Sequence, residues 1–382
     1  MASGRPLLSL VMIMRDAAAE IEACLASCAG AVDEMIICDT GSADASVKLA
    51  RRFLKGWLAE PGARRRGKLI SFAWRDDFAA ARNFALEQAK GQWALLLDSD
   101  ERLAEGTKGA LRTLAAELAA GHLPTGCTWD TALREGAGAP DLVELWRHNV
   151  DLAGREVPGE ADDLSVRIAR IDRRLRYRGQ VHEQLIWTDG RPLGAAFASR
   201  ELLFLLHTGY RPEVKGEKDE RNYRLLRRQA GQGGSTYLLD YYLAQMYFAK
   251  GEYGEAARQA EAALISTRPV HDRFAPWRLL YQSLANLAAA ASGEERASLE
   301  GRVDKVLEAG LKELPDWPDF YYFRGGRRWN AGREAEGLAD LEQARRLAEE
   351  FAARHPDQEF GFAELMPMLE QALGQARREI GG

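Results

Sequence analysis

The chain is short of cysteine, has no surplus of positive charge and carries no apolar run long enough for a membrane, and each shortage removes a class of protein. Only Cys24, Cys28, Cys38 and Cys127 supply thiols in 382 residues, too few for a disulfide framework. Cys24 and Cys28 lie four apart in a helical pattern, but no second C-x-x-C pair or nearby histidine completes a zinc set. Free thiols in a reducing compartment are expected. A net charge of -5 speaks against a general nucleic-acid binder, which needs a basic face. The basic clusters ARRRGK (63–68) and RIDRRLRYR (170–178) are local, and the first reads as a solvated loop. Near the start, LLSLVMIM follows MASGRP; it is too short to span a bilayer and no small-residue cleavage site follows it. A cytoplasmic protein with no membrane span is expected.

What is present is ordinary globular material, 46% hydrophobic and 29% charged, in a chain too long for one compact core. Two grammars divide it. In the first hundred residues apolar runs alternate with amphipathic stretches. LLSLVMIM (7–14) reads as a buried strand, and EMIICD (34–39), KLISFAW (68–74) and QWALLLD (92–98) as three further strands. Between them AAEIEACLASCAG (18–30), ASVKLARRFLKGWL (45–58) and DFAAARNFALEQAK (77–90) have helical spacing. Strict alternation predicts βαβ units and a parallel sheet, with ligands at the C-terminal ends of its strands. A further helix runs through Leu111, Leu114 and Leu118, and a Gly/Pro-rich irregular stretch extends to about residue 140. LVELWRHNV (142–150), LSVRIARI (164–171) and AFASRELLFLLH (196–207) are expected as strands of a mixed sheet edge.

Past Arg211–Pro212 the period turns helical almost throughout. In 239–269, Leu243, Ala244, Tyr247, Ala256, Ala260, Ala263 and Pro269 follow the tetratricopeptide pattern, with the proline one residue late. In 328–347, Gly332 aligns with Gly251, Gly337 with Ala256 and Ala344 with Ala263. With a degenerate pair between (275–290 and 302–315), roughly three helix pairs give the continuous core that such repeats need. The expected domains are 1–212 and 213–382.

The chemistry gathers at the predicted strand ends. WALLLDSDERL (93–103) ends an apolar run on Asp98 and Asp100. A lone D-x-D is more often a strand end and a helix cap than a cation site, so its company decides. CDTGSAD (38–44) reads as a turn and cap, or as a place where Asp39 accepts hydrogen bonds from a nucleobase or ribose. RDDFAAARNFALEQAKG (75–91) crowds Asp76, Asp77, Arg82 and Asn83 at a helix start, where Arg82 offers planar donors to a diphosphate or pairs with a local acid. RYRGQVHEQL (176–185) and LLHTGYRP (205–212) place His182, Glu183 and His207 where apolar runs give way to turns. Together these suit loss of a nucleotide diphosphate from a sugar. Hard oxygens such as those of Asp100 favour a divalent ion, Mn2+ or Mg2+, and an imidazole from His207 favours manganese. Glu183 is a suitable general base.

In their order, SLVMIMRD, IICDTGSAD, DDFAAARNFAL, GQWALLLDSDE, YRGQVHEQL and HTGY make residues 7–210 resemble family 2 glycosyltransferases of the GT-A fold. The likeness is to the branch carrying tetratricopeptide repeats, which includes SunS-like peptide S-glycosyltransferases and relatives associated with flagellin glycosylation. It implies an α/β Rossmann-like nucleotide-sugar-binding domain followed by an all-α helical solenoid. It also implies a nucleotide-sugar donor, usually UDP-linked, and an inverting displacement. Carried over by position, Arg15, Asp39, Asp77, Arg82 and Asp98 bind the donor, and Asp100 holds the metal. His207 as a second metal ligand and Glu183 as base follow from chain order, with Asn83 and His182 as additional site candidates. The first motif departs from the family: MRDAAAE leaves Arg15 and Asp16, with Glu20 further on, where an acid usually follows Lys-Asn.

The leading expectation is hexose transfer to a Ser/Thr or Cys side chain of a peptide or protein, flagellin or a bacteriocin-type peptide, held by the repeats. The segment 121–163 is where an acceptor would dock. One alternative is a glycan or lipid-linked acceptor; another, of a different class, is a non-catalytic interaction module. A phosphohydrolase fits poorly, because its D-x-D would follow the first strand rather than the fourth. Tyr and Phe residues around 320–323 suit a homodimer contact as well as an acceptor.

Overall fold

The computed structural model describes residues 4–62, 64–130, 139–157, 162–209, 212–231, 236–265, 274–354 and 362–380. The chain forms two compact units, 1–225 and 226–382.

The first unit opens with β1 (Leu8–Met14), α1 (Ile21–Cys28), β2 (Glu34–Asp39), α2 (Ser46–Leu58), β3 (Arg66–Ser71), α3 (Phe78–Gln88) and β4 (Trp93–Leu96). This is the alternation expected from the apolar runs. β3, β2, β1 and β4 lie side by side in that order, all parallel. β1 shows why its run is continuous. Leu8, Leu10, Met12 and Met14 enter a core shared with Ile21, Leu25, Leu111 and Leu118, while Val11 enters a second core with Ala81 and Ala85 on the other face. Both faces are covered, so both parities must be apolar.

There follow β5 (Glu101–Leu103), α4 (Lys108–Ala119), β6 (Cys127–Trp129), β7 (Leu142–Asn149), β8 (Asp163–Arg170), β9 (Leu175–Arg178), β10 (Gln184–Trp187), β11 (Ala195–Ala198) and β12 (Phe204–His207). β8 joins β4 antiparallel, and β7, β11 and β6 extend the sheet into the expected mixed edge. One expectation is corrected, and one hairpin is new. AFASRELLFLLH is two strands, because Leu202 and Leu203 N–H both turn back to the Ser199 carbonyl. β9 and β10 form a separate antiparallel hairpin in a stretch whose charges hide the strand pattern. Residues 131–138 and 158–161 of the expected acceptor segment, and Tyr210, lie outside the described residues.

The site depends most on β12, which pairs antiparallel with β5 and parallel with β7. That register sets His207 beside both Glu101 and Asn149. α5 (Pro212–Gly231) follows, and the division between units falls within it, between Leu225 and Leu226, where the sequence suggests 212.

The second unit comprises α6 (Tyr237–Ala249), α7 (Tyr253–Ile265), α8 (Phe274–Ala290), α9 (Gly293–Glu313), α10 (Pro318–Asn330), α11 (Glu334–Arg354) and α12 (Phe362–Ile380). The aligned glycines prove equivalent. Gly251 ends α6 at φ 76° and Gly332 ends α10 at φ 73°, a left-handed turn where a side chain would be strained. Ala256, Ala263 and Ala344 are fully buried. Pro269 lies outside the described residues.

Asp319, in the first turn of α10, is buried, and burial raises its carboxyl to about 6 against the pull of Arg278. Its folded value lies above its unfolded one. The stabilising contribution is therefore full below about 4 and is lost as the pH rises through about 6. Asp319→Asn is expected to stabilise the helical unit by about 2 kcal/mol at pH 7.5, after allowing for the lost helix-dipole interaction, and by nothing at pH 4. Thermal melts of the full chain at both pH values, followed by helical circular dichroism, check this; an equal effect at both would contradict it.

Candidate active site

The site is built where four parallel strands end. After β1, Asp16 adopts φ 48° and its Oδ1 accepts from Ala43 N–H at 2.7 Å, tying the first loop to the second. Arg15 is half-exposed, its Nε 3.6 Å from Asp16 Oδ2. After β2, the nearly buried Asp39 accepts from Gly41 and Ser42 N–H, both at 3.1 Å, and so shapes the CDTGSAD turn. After β3, Asp77 caps α3 by accepting from Ala80 N–H at 2.8 Å. Asn83 is tied to Tyr177 in both directions, donating to its carbonyl and accepting from its N–H, each at 2.9 Å. That pair fastens the β9–β10 hairpin to α3, and Phe78 N–H donating to the Gln180 carbonyl fixes its turn.

With the hairpin held there, Arg82 spans two acids that are distant in sequence. Its Nη2 donates to Asp98 Oδ1 at 2.6 Å and its Nε to Glu183 Oε1 at 2.5 Å. Arg167 on β8 meets the other Asp98 oxygen at 3.3 Å and grips Glu101 at 2.5 and 2.8 Å. Burial works against the Asp98 carboxylate, but the Arg82 and Arg167 guanidiniums outweigh it and hold its pKa far below the usual range. Burial likewise disfavours the Arg82 charge, and Asp98 and Glu183 more than restore it. Breaking one partner of such a group leaves an uncompensated charge, so the arrangement is rigid.

Asp100 faces a different set. Its Oδ2 lies 3.9 Å from His207 Nε2 and accepts from Lys218 Nζ of α5 at 2.7 Å. His207 Nδ1 is 2.8 Å from Asn149 Oδ1. An amide oxygen there assigns the proton to Nδ1, so Nε2 turns a lone pair toward Asp100. Burial lowers the His207 pKa despite Asp100, keeping the ring neutral. Gly209 makes the convergence possible: a methyl group added there would lie 2.4 Å from His207 Nε2, 2.5 Å from Asp100 Oδ2 and 2.7 Å from Lys218 Nζ. Glu20, the acid left over from the first motif, accepts from Thr208 Oγ1 at 2.6 Å beside this turn.

A divalent ion fits this cradle by its chemistry: one carboxylate oxygen and one imidazole lone pair, with further places left for phosphate oxygens. Among the described residues no group of three or more His, Cys, Asp or Glu side chains could hold a metal by itself. Asp98 is committed to its two arginines. His182 stands in the hairpin turn at φ 50°, with burial lowering its pKa to about 4.

The structure thus brings Arg82, Asp98 and Glu183 into one chain of contacts and Asp100 and His207 into another. Arg15, Asp39 and Asp77 stay in the neighbouring loops. Sequence reasoning missed Arg167, Asn149, Gly209, Lys218 and Arg221. Arg167 had a signal, an arginine in the middle of an apolar strand pattern. Arg221 lies 5.1 Å from the Phe78 ring centroid, its pKa lowered by burial. Both α5 cations fall in a stretch whose helical period concealed their direction.

Residues 9–123 match the family model of glycosyl transferase family 2. The match runs from β1 past α4, and it includes Arg15, Asp39, Asp77, Arg82, Asp98 and Asp100 but stops short of Glu183 and His207. The first unit is therefore a mixed α/β domain whose residues 9–123 are similar to family 2 glycosyltransferases, and the unit after it is helical. A TPR repeat-containing protein of Synechococcus elongatus is 46% identical over 95 residues, which are 25% of this chain and 21% of that protein. The chain thus spans about a fifth of the length of this relative. Among solved structures, S. aureus TarS 1–349 in complex with UDP-GlcNAc is 15% identical, with a TM-score of 0.42 over 79% of this chain and 92% of that one. The mannosyltransferase PcManGT from Pyrobaculum calidifontis in complex with GDP-Man and Mn2+ is 15% identical, with a TM-score of 0.40 over 90% and 88%. No helix among the described residues is long and apolar enough to cross a membrane.

Proposed function

We propose that the first unit transfers a hexose from a nucleotide-diphosphate sugar, of the UDP class, to a side chain of a peptide or protein, inverting the anomeric centre. The observation that carries this reading is the Arg82 bridge from Asp98 to Glu183, set beside the Asp100–His207 cradle. It puts a donor-side acid and a general-base candidate on one rigid guanidinium at the C-terminal edge of a parallel sheet, where this architecture binds ligands.

In this reading Arg15, Asp39 and Asp77 border the nucleotide, and Arg82 fixes Asp98 on the donor side. A divalent ion at Asp100 and His207 would offset the diphosphate charge as a Lewis acid. Glu183 Oε1 is held by Arg82, which leaves Oε2 to take the acceptor's proton. The acceptor oxygen or sulfur bonds to the anomeric carbon from the face opposite the diphosphate. The bond to the diphosphate breaks, and the nucleotide leaves with its electron pair. The helical unit grips the acceptor chain, as stacked repeats commonly do.

A screen of UDP- and GDP-sugars against a peptide panel, read by mass spectrometry with and without Mn2+, tests the function. A hexose mass added to a peptide supports it; donor consumption only with glycan or lipid acceptors would move the acceptor to the other class. Asp100→Ala is expected to weaken UDP binding only when Mn2+ is present. Equal weakening in its absence, by calorimetry, would take Asp100 out of the cation site.

A further inference from the structure

The cations of the site are not alike. Arg82 and Arg167 are nearly buried and each holds two acids, so neither can leave without stranding a charge. Lys218 is 35% exposed, makes its side-chain bonds at a single nitrogen and sits on a flexible four-carbon stem. Its Nζ donates to Asp100 Oδ2 at 2.7 Å and to the Gly209 carbonyl at 3.2 Å. That Asp100 oxygen is the same one that faces the His207 Nε2 lone pair. A divalent ion shared by Asp100 and His207 needs this oxygen, and an ammonium beside it would repel the ion.

We propose that Lys218 is an exchangeable internal counter-ion: its ammonium holds Asp100 Oδ2 when no divalent ion is bound and is displaced when one binds. The inference rests on the cation site proposed above and adds to it an occupant supplied by the chain itself. Without such an occupant, a nearly buried carboxylate and an imidazole lone pair would face each other with nothing positive between them, at a cost in the metal-free state. A lysine meets that need and still lets go, because it is a point charge with a partly solvated stem. The exchange makes metal affinity lower than the ligands alone would give and couples metal binding to release of the Lys218 side chain from the cradle.

The test is Mn2+ titration of the full chain carrying one equivalent of UDP, following free Mn2+ by electron paramagnetic resonance. Lys218→Met is expected to tighten Mn2+ binding about tenfold, equivalent to about 1.4 kcal/mol. Lys218→Gln serves as a second neutral variant if the first fails to fold. Arg224→Met removes the same charge from α5 at a residue paired with Asp76 rather than Asp100, and should change the affinity less than about twofold. Mn2+ affinity unchanged or weakened in both Lys218 variants, with Asp100→Ala still abolishing binding, overturns the exchange and leaves the cation site standing. Tightening of equal size in Arg224→Met overturns it as well, because net charge alone would then explain the effect. If wild type and both Lys218 variants bind no Mn2+ while UDP binds, the cation site itself falls and the exchange with it.

Discussion

Glu183→Gln lowers the rate of transfer to a hydroxyl acceptor by about 10²–10⁴-fold while UDP affinity stays within a few-fold of wild type. The magnitude is that of a lost general base. Glutamine keeps the shape of the side chain, and its carbonyl oxygen can still accept from Arg82 Nε, so the bridge to Asp98 survives. What disappears is the oxygen that takes the proton. The loss should appear in kcat rather than in donor KM. A thiol acceptor, whose ordinary pKa is about 8.5, needs less help, so the defect shrinks with Cys peptides. Side-by-side kinetics with Ser and Cys peptides and calorimetry with UDP check this. Loss of UDP affinity in the variant would assign Glu183 to the donor site instead.

Gly209→Ala is expected to weaken Mn2+-dependent UDP binding on the order of 10–100-fold, the range found when support of a metal ligand is disturbed. The reason is steric. The new methyl would lie 2.4 Å from His207 Nε2 and 2.5 Å from Asp100 Oδ2, too close for either atom to stay. Lys218 can withdraw along its stem. His207 cannot easily do so: its strand is paired on both sides, and its Nδ1 is held by Asn149. Metal-free UDP binding should change little, while the strain at His207 lowers the melting temperature. Calorimetry with UDP, with and without Mn2+, separates the cases; equal losses in both would mean the residue supports the nucleotide rather than the cation.

The fold of the first hundred residues was legible because a sheet covered on both faces makes most positions of its central strands apolar. β1 and β2 follow that rule, so continuous runs marked them. The same rule failed past residue 170. β9 and β10 are four-residue strands carrying Arg, Tyr and Gln, and in AFASRELLFLLH the polar Ser199, Arg200 and Glu201 that mark the turn are enclosed by apolar residues on both sides. Of the candidate site, D-x-D and the strand-end acids stood out because two charges after an apolar run are costly without a reason. Their partners did not. Arg167 reaches Asp98 from a strand 69 residues away, and Lys218 reaches Asp100 from a helix 118 residues away. The pairing of β12 with both β5 and β7, which sets His207 between Glu101 and Asn149, is a long-range register that no local pattern encodes.

The most direct measurement is a crystal of the full chain soaked with UDP and Mn2+, with data collected at the manganese absorption edge. The expected result is an anomalous peak bonded to Asp100 and His207 at about 2.0–2.3 Å, with the diphosphate beside it at the ends of β1, β2 and β4. Nucleotide bound elsewhere, or bound at this edge with no manganese at Asp100 and His207, would contradict the account.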